Sequence, residues 1–196
     1  MERRGGWILA SMGHVLAVSL VATEAILLLE GRWQEALPLH LCSLSAMAAL
    51  VLAFGEHGML LDFLWYLGMP GAALALIFPA PAVTRCQALL NASYVTTHAL
   101  ILIIPLTAML AGMRPRRGRA PAMMMILQGI ALVAYFVNRA LGTDFLFLMA
   151  PPAGTPLVTA YSWGYPAYLL ALEAIMLAVC MVMDTILSQL CRKSSE

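Results

Sequence analysis

The sequence predicts an all-α membrane protein, a six-transmembrane-helix bundle with its N-terminus and C-terminus in the cytoplasm. Three observations predict it. Of 196 residues, 62% are hydrophobic and 11% are charged, whereas soluble domains carry about 25% charged residues. The mean hydropathy is +0.87. Six mostly apolar stretches approach the length that crosses the hydrocarbon core, and the basic residues between them fall mainly on one side.

The predicted helices follow one another through short connections that contain Gly and Pro. They cover 7–29, 38–55, 59–78, 89–113, 121–142 and 165–187. The first is too long for the apolar region of a signal peptide, so it is expected to span the membrane. The second is the shortest and would begin with Pro38, a residue suited to the first turn of a helix. Residues 1–196 are expected to form a single domain, because no length remains for a soluble one.

The orientation follows from the distribution of Arg and Lys. With the N-terminus inside, the inner basic residues are Arg3, Arg4, Arg114, Arg116, Arg117, Arg119, Arg192 and Lys193, against Arg32, Arg85 and Arg139 outside. This bias predicts that both termini are cytoplasmic. We expect an integral, multi-pass protein in a bacterial inner (cytoplasmic) membrane. The run MRPRRGR at 113–119 either fixes this topology or binds anionic lipid.

Seven polar side chains from five predicted helices lie between the midplane and the outer surface when 1.5 Å is counted per residue. They are Glu24, His40, Cys42, His98, Asn138, Arg139 and Glu173. Polar groups at membrane depth usually face a bundle interior or a cavity. The layer therefore indicates either a polar chamber open to the outer leaflet or a set of interhelical hydrogen bonds.

Cys42 and His98 are the candidate catalytic residues in this layer. With Pro38 at the helix start, Cys42 would occupy the second turn. The positive end of the helix dipole can lower a thiol pKa there, although the effect fades beyond the first turn. His98 lies at a similar depth and has the chemistry of a general base for a Cys nucleophile. A lone Cys in a membrane helix is also an ordinary packing residue.

Several motifs resemble the YwaF-like integral membrane family over about residues 30–180. They are LPLHLC at 37–42, WYLG at 65–68, TTHALILIIPL at 96–106, Asn138 with Gly142-Thr143, and WGYPAY at 163–168. The chain departs from the family pattern at Asp144-Phe145, where Asn-Tyr is usual, and it lacks a Lys before Pro151.

The resemblance implies phospholipid acyl transfer, since an animal branch of that family is associated with it through a Cys and a His. Cys42 would be the nucleophile and His98 the base. The family is also distantly similar to six-helix membrane hydrolases that use a Thr and a His. It adds Trp163 and Tyr168 to the substrate-binding or supporting residues, which are otherwise His40, Asn138, Arg139, Glu24 and Glu173.

The sequence is therefore consistent with three functions. The first is a lipid-modifying enzyme that performs acyl transfer or lipid ester hydrolysis, with Asn138 donating to the oxyanion and Glu24 or Glu173 orienting a histidine. The second is a small-molecule or proton-coupled transporter, or a lipid-binding protein without catalysis. The third is a haem protein with His40 and His98 as axial ligands. Membrane lipids and a further copy of the chain are the expected partners. No cofactor, metal or nucleic acid is expected.

Overall fold

The structure, a computed structural model, describes residues 6–79, 83–152 and 154–193, and all regular structure within these ranges is helical. The predicted all-α class is therefore confirmed for this part of the chain. The chain divides into two compact units, Met1–Pro115 and Arg116–Glu196.

The first unit contains four helices. These are α1 (Gly6–Leu29), α2 (Leu41–Phe54), α3 (Gly58–Ile77) and α4 (Gln87–Leu110). α1 packs against α2 and α4, and α2 packs against α4 and against the middle of α3. The last part of α3 also contacts α4. Both the turn that carries Cys42 and the helix that carries His98 therefore belong to this unit.

α3 contains the longest continuous buried stretch in the described part of the first unit. Every residue from Leu61 to Gly68 is buried, including the charged residue Asp62. The segment Leu64–Gly68 forms a π turn, in which the Met69 N–H bonds the Leu64 carbonyl. Such a turn holds one residue more than an α-helical turn and is frequent at functional sites.

The start of α2 differs from the prediction. The Leu39 N–H bonds the Leu37 carbonyl at 2.8 Å in a tight turn, and His40 has extended backbone angles at the N-cap. The helix therefore begins at Leu41, and the assignment of Pro38 to its first turn is wrong. The other predicted boundaries lie within about three residues of the observed ones, except that the last helix continues to Lys193 rather than ending at 187.

Two connections at one end of the first unit are joined through Arg32. Its Nε and one terminal nitrogen donate to the Glu35 carboxylate at 2.7 and 2.6 Å, and its other terminal nitrogen donates to the Val83 carbonyl at 2.7 Å. The hydrogen bond to Glu35 raises the pKa of Arg32 above its ordinary value. The Glu30 carboxylate accepts a hydrogen bond from the backbone N–H of Arg85 at 2.7 Å. These bonds fix the end of α1 beside the approach to α4.

The second unit contains α5 (Ala120–Leu141), the short α6 (Leu157–Ser162) and α7 (Tyr165–Lys193). A 3₁₀ turn, Phe145–Phe147, follows α5. α5 packs against α7 and this turn, and α6 packs against α7. α5 ends at Gly142, whose φ of 68° is the left-handed conformation that commonly stops a helix.

Among the described residues, five helices are long and apolar enough to cross a membrane. They are Gly6–Leu29, Gly58–Ile77, Gln87–Leu110, Ala120–Leu141 and Tyr165–Arg192. α2 has only 14 residues and extends for about 21 Å, short of the roughly 30 Å hydrocarbon core. Five of the six predicted spans thus have the expected character, and the sixth stays a prediction.

Candidate functional site

Cys42 occupies the first turn of α2, because the helix begins at Leu41 and His40 is its N-cap. The expectation that it lies in the second turn is wrong. The N–H groups of a first turn have no partner within the helix, and the positive end of the dipole acts most strongly there. Cys42 is a free, half-buried thiol. A sulfur anion at this position would be stabilised by its own helix.

His98 is buried near the middle of α4, with 6% of its surface exposed. Its Nδ1 lies 2.7 Å from the Tyr94 carbonyl oxygen one turn earlier. A carbonyl can only accept, so Nδ1 carries a proton, and in the neutral ring Nε2 is left as the basic nitrogen. The Tyr94 ring lies 4.1 Å from the imidazole, centroid to centroid. Local structure therefore fixes both the tautomer and the orientation of His98.

One stretch of α3, from Gly68 to Ala75, contacts both candidate elements. A Cβ built on Gly68 would lie 3.0 Å from the Ser45 hydroxyl, and one built on Gly71 would lie 3.3 Å from Leu41. The Tyr94 hydroxyl donates to the Ala75 carbonyl at 2.8 Å. The stretch covers about 10 Å of helix. The first turns of α2 and the Tyr94–His98 turn of α4 therefore pack against the same stretch of α3.

No hydrogen bond joins the Cys42 thiol to the His98 imidazole among the described residues. Transfer of a proton between them would require a bridging water or a substrate atom. The helix positions leave this arrangement open, because α2 packs against α4. The predicted approach of the two side chains through one water stays a prediction.

Ser45 was not singled out from the sequence, although it lies one turn after Cys42 on α2. It is fully buried, and its hydroxyl has no hydrogen-bond partner. Its neighbour is the π turn, at Gly68. A buried hydroxyl without a partner is uncommon and costs stability. The available signal was its spacing of three residues from Cys42, which places both on one helix face.

A second polar contact missed from the sequence joins α1 to α4. The Ser19 hydroxyl lies 2.9 Å from the Ser93 carbonyl and 2.8 Å from the Thr97 hydroxyl, and all three residues are buried. Interhelical bonds of this kind stabilise membrane bundles by about 0.6 kcal/mol on average. Thr97 precedes His98, so the contact also fixes the depth of His98 relative to α1.

In the second unit, Asn138 organises the loop after α5. It is 2% exposed. Its amide nitrogen donates to the Phe145 carbonyl at 3.0 Å, and its oxygen accepts from the Phe145 N–H at 2.8 Å and from Thr143 at 2.9 Å. Leu146 and Phe147 follow with φ of 60° and 54°, which is strained for residues other than Gly. Asn138 thus supports a strained turn.

Tyr168 contacts the same loop from α7. It is fully buried, its hydroxyl donates to the Phe147 carbonyl, and its ring meets Tyr161 edge-on at 5.4 Å. The Asp144 carboxylate accepts a further hydrogen bond from the backbone N–H of Met149 at 2.8 Å. Trp163, by contrast, is 76% exposed at the end of α6. The two aromatic residues predicted as a set therefore have different environments.

The remaining polar candidates have the following positions. Glu173 on α7 accepts from the Gln128 amide on α5, at 2.7 Å for each carboxylate oxygen, and both residues are exposed. Arg139 is exposed in the last turn of α5, where its charge complements the helix dipole. Glu24 and His40 are half-buried in the first unit. No group of three or more His, Cys, Asp or Glu side chains in the described ranges is placed to hold a metal ion.

Comparison with known proteins identifies the family. The model of the TMEM164 family matches residues 2–184, which is most of the chain. The chain belongs to the TMEM164 family. TMEM164 proteins are membrane proteins, which agrees with the five apolar helices and supports an integral, multi-pass protein. Neither the curated proteins nor the solved structures compared with this TMEM164-family chain contain a match.

Proposed function

We propose that this membrane protein transfers acyl chains to or from phospholipids, or hydrolyses lipid esters, with Cys42 as nucleophile and His98 as general base. One observation carries the proposal. The buried His98 donates from Nδ1 to Tyr94, so its Nε2 is available as a base in the helix that packs against the Cys42 helix. The first-turn position of Cys42 and the resemblance to the YwaF-like family support the same assignment.

The proposed reaction has two steps. In the first, His98 Nε2 takes the thiol proton of Cys42, directly or through a water, and the sulfur attacks the ester carbonyl of a lipid. The ester C–O bond breaks, a thioester forms, and the proton passes to the departing oxygen to give a lysolipid. In the second, the hydroxyl of an acceptor lipid or of water gives its proton to His98 and attacks the thioester. The acyl product leaves, and the thiol is restored.

The other polar candidates are proposed as substrate-binding or supporting residues. They are His40, Asn138, Arg139, Glu24, Glu173, Trp163 and Tyr168. Asn138 and Tyr168 would hold the strained 145–147 turn, to which both are hydrogen-bonded.

We further propose six membrane spans, with α2 as the short one and both termini in the cytoplasm of a bacterial cell. Bilayer thinning or the turn before Leu41 would compensate for the length of α2. The loop Arg114–Arg119 supplies much of the predicted inner charge. Arg3 and Arg4 of that inner set lie outside the described residues.

The direct test is acyl exchange in reconstituted vesicles. Purified full-length protein is placed in phosphatidylcholine vesicles that contain isotopically labelled lysophosphatidylcholine, and labelled diacyl product is followed by mass spectrometry. The wild type is expected to form product, and Cys42→Ala none. His98→Ala should reduce the initial rate by about 100-fold or more, the usual contribution of a general base.

Two matched variants serve as controls. Cys86→Ser removes an exposed thiol. His14→Ala removes an exposed imidazole whose Nδ1 makes the same bond, 2.7 Å to the Ala10 carbonyl. Both should keep the wild-type rate. Product formation by Cys42→Ala at the wild-type rate would exclude the nucleophile. If folded wild-type protein makes no product from any acyl donor tried and no thioester can be trapped on Cys42, the enzyme assignment is refuted.

A further inference from the structure

A cavity of about 530 Å³ in the second unit lies where α7 approaches its C-terminal end. Its lining includes two arginines and three uncharged polar side chains. The lining residues are Arg117, Thr185, Ser188, Gln189, Cys191 and Arg192. None of them belongs to the proposed Cys42–His98 chemistry.

The cavity is built by a loop bonded to a helix. The Gly118 N–H donates to the Asp184 carboxylate at 2.8 Å, which fixes the arginine-rich loop against α7 one residue after Arg117. Arg117 itself is exposed, and the structure gives it no hydrogen bond or ion pair among the described residues. Its guanidinium is a bidentate donor suited to a phosphate group. Arg192 approaches the cavity from the helix side.

Both hydroxyl groups in the lining already donate their hydrogen atoms to backbone carbonyls. Thr185 donates its hydroxyl hydrogen to the Met181 carbonyl at 2.8 Å, and Ser188 donates to the Asp184 carbonyl at 2.9 Å. Both residues line the cavity, and their oxygens remain able to accept hydrogen bonds. Donors for an anion and acceptors for hydroxyl groups thus line the same space. This combination fits a phosphodiester that carries a hydroxylated headgroup.

The surface next to the cavity is apolar. α7 is one of the five helices suited to cross a membrane, and Val182, Ile186 and Leu190 on it are 56%, 40% and 48% exposed. Acyl chains would contact this surface while a headgroup occupied the cavity. A free phosphate would gain nothing from it. We propose that the cavity binds an anionic glycerophospholipid with a hydroxylated headgroup, of the phosphatidylglycerol type.

The test measures lipid retention by the full chain. Protein in phosphatidylcholine nanodiscs with a minor fraction of phosphatidylglycerol is released into the gas phase, and lipid adducts are counted by native mass spectrometry across a titration. Wild type should retain phosphatidylglycerol in preference to phosphatidylcholine. Arg117→Gln and Arg192→Gln should each weaken retention about fivefold, the effect of one basic group at an anionic membrane surface. Thr185→Val should reduce the preference for phosphatidylglycerol over phosphatidic acid, because it removes an acceptor for the headgroup hydroxyl.

Arg114→Gln is the matched control, because Arg114 lies in the same basic run but not in the lining. It should weaken retention less than about twofold if the site is local. Equal losses at Arg114 and Arg117 would mean diffuse attraction by the loop and would overturn the proposal. Full displacement of the lipid by millimolar inorganic phosphate would also overturn it, since the ligand would then be the free anion. Each variant is first checked for a single peak in size-exclusion chromatography.

Discussion

Replacing Asn138 by Ala should destabilise the second unit more than any other single polar substitution discussed. The side chain makes three hydrogen bonds to Thr143 and to the buried Phe145. At about 1 kcal/mol for each, the loss is about 3 kcal/mol. Phe145, which is 1% exposed, would be left with an unpaired N–H and carbonyl next to two residues of positive φ. The melting temperature should fall by about 6–12 °C for a chain of this size.

The assay uses the buried thiol of Cys180 on α7. With the other three cysteines replaced by Ser, a thiol-reactive fluorogenic dye reports the temperature at which this helix becomes accessible in detergent micelles. Asn91→Ala is the control, because Asn91 is an exposed helical Asn with a single bond from Gln87 at 2.8 Å. Its cost should stay below about 0.5 kcal/mol. Equal melting temperatures for the two variants would refute the role assigned to Asn138.

Three further predictions follow. Gly68→Ala should lower the melting temperature, because its Cβ would lie 2.9 Å from Leu64 and 3.0 Å from the Ser45 hydroxyl, and such overpacking costs about 1–3 kcal/mol. The control Gly129→Ala, whose Cβ would have no atom within 4 Å, should leave the melting temperature unchanged or raise it. A lower melting temperature for Gly129→Ala than for Gly68→Ala would contradict the packing. Ser45→Ala should leave the free energy of unfolding unchanged or raise it by up to about 1 kcal/mol, since an unpaired buried hydroxyl is removed, and a clear loss in denaturant titration would reveal a partner. Reporter fusions at Arg117 and at the C-terminus should both read cytoplasmic, and an external signal from either would reject the topology.

Much of the fold followed from the length and hydropathy of the apolar runs. These quantities determine which segments can be helices at membrane depth, and five of the predicted spans agree with the structure. The start of α2 was predicted incorrectly because Pro38 suits both a first helical turn and a tight turn outside a helix. The bond from Leu39 to Leu37 decides between them, and no single residue in the sequence marks it.

The candidate site was only partly predictable, because residue type and depth do not give contacts. Asn138 was recognised as a notable polar residue, but its bonds to Phe145 depend on a turn of positive φ at Leu146 and Phe147, which sequence rarely signals. Ser45 was overlooked because a lone Ser in an apolar helix usually bonds its own backbone.

The π turn at Leu64–Gly68 changes the direction in which the side chains of the second half of α3 point, relative to those of the first half. One additional residue in a turn displaces everything after it by about 100° around the helix axis. Gly71, which follows this turn, faces Leu41 as a result of that rotation. A homologue that lost one residue here would keep both halves helical, yet it would present a different row of side chains to the Cys42 turn. The length of this turn therefore selects which part of α3 lines the candidate site, and an alignment gap of one residue at this place would signal an altered site rather than a neutral deletion.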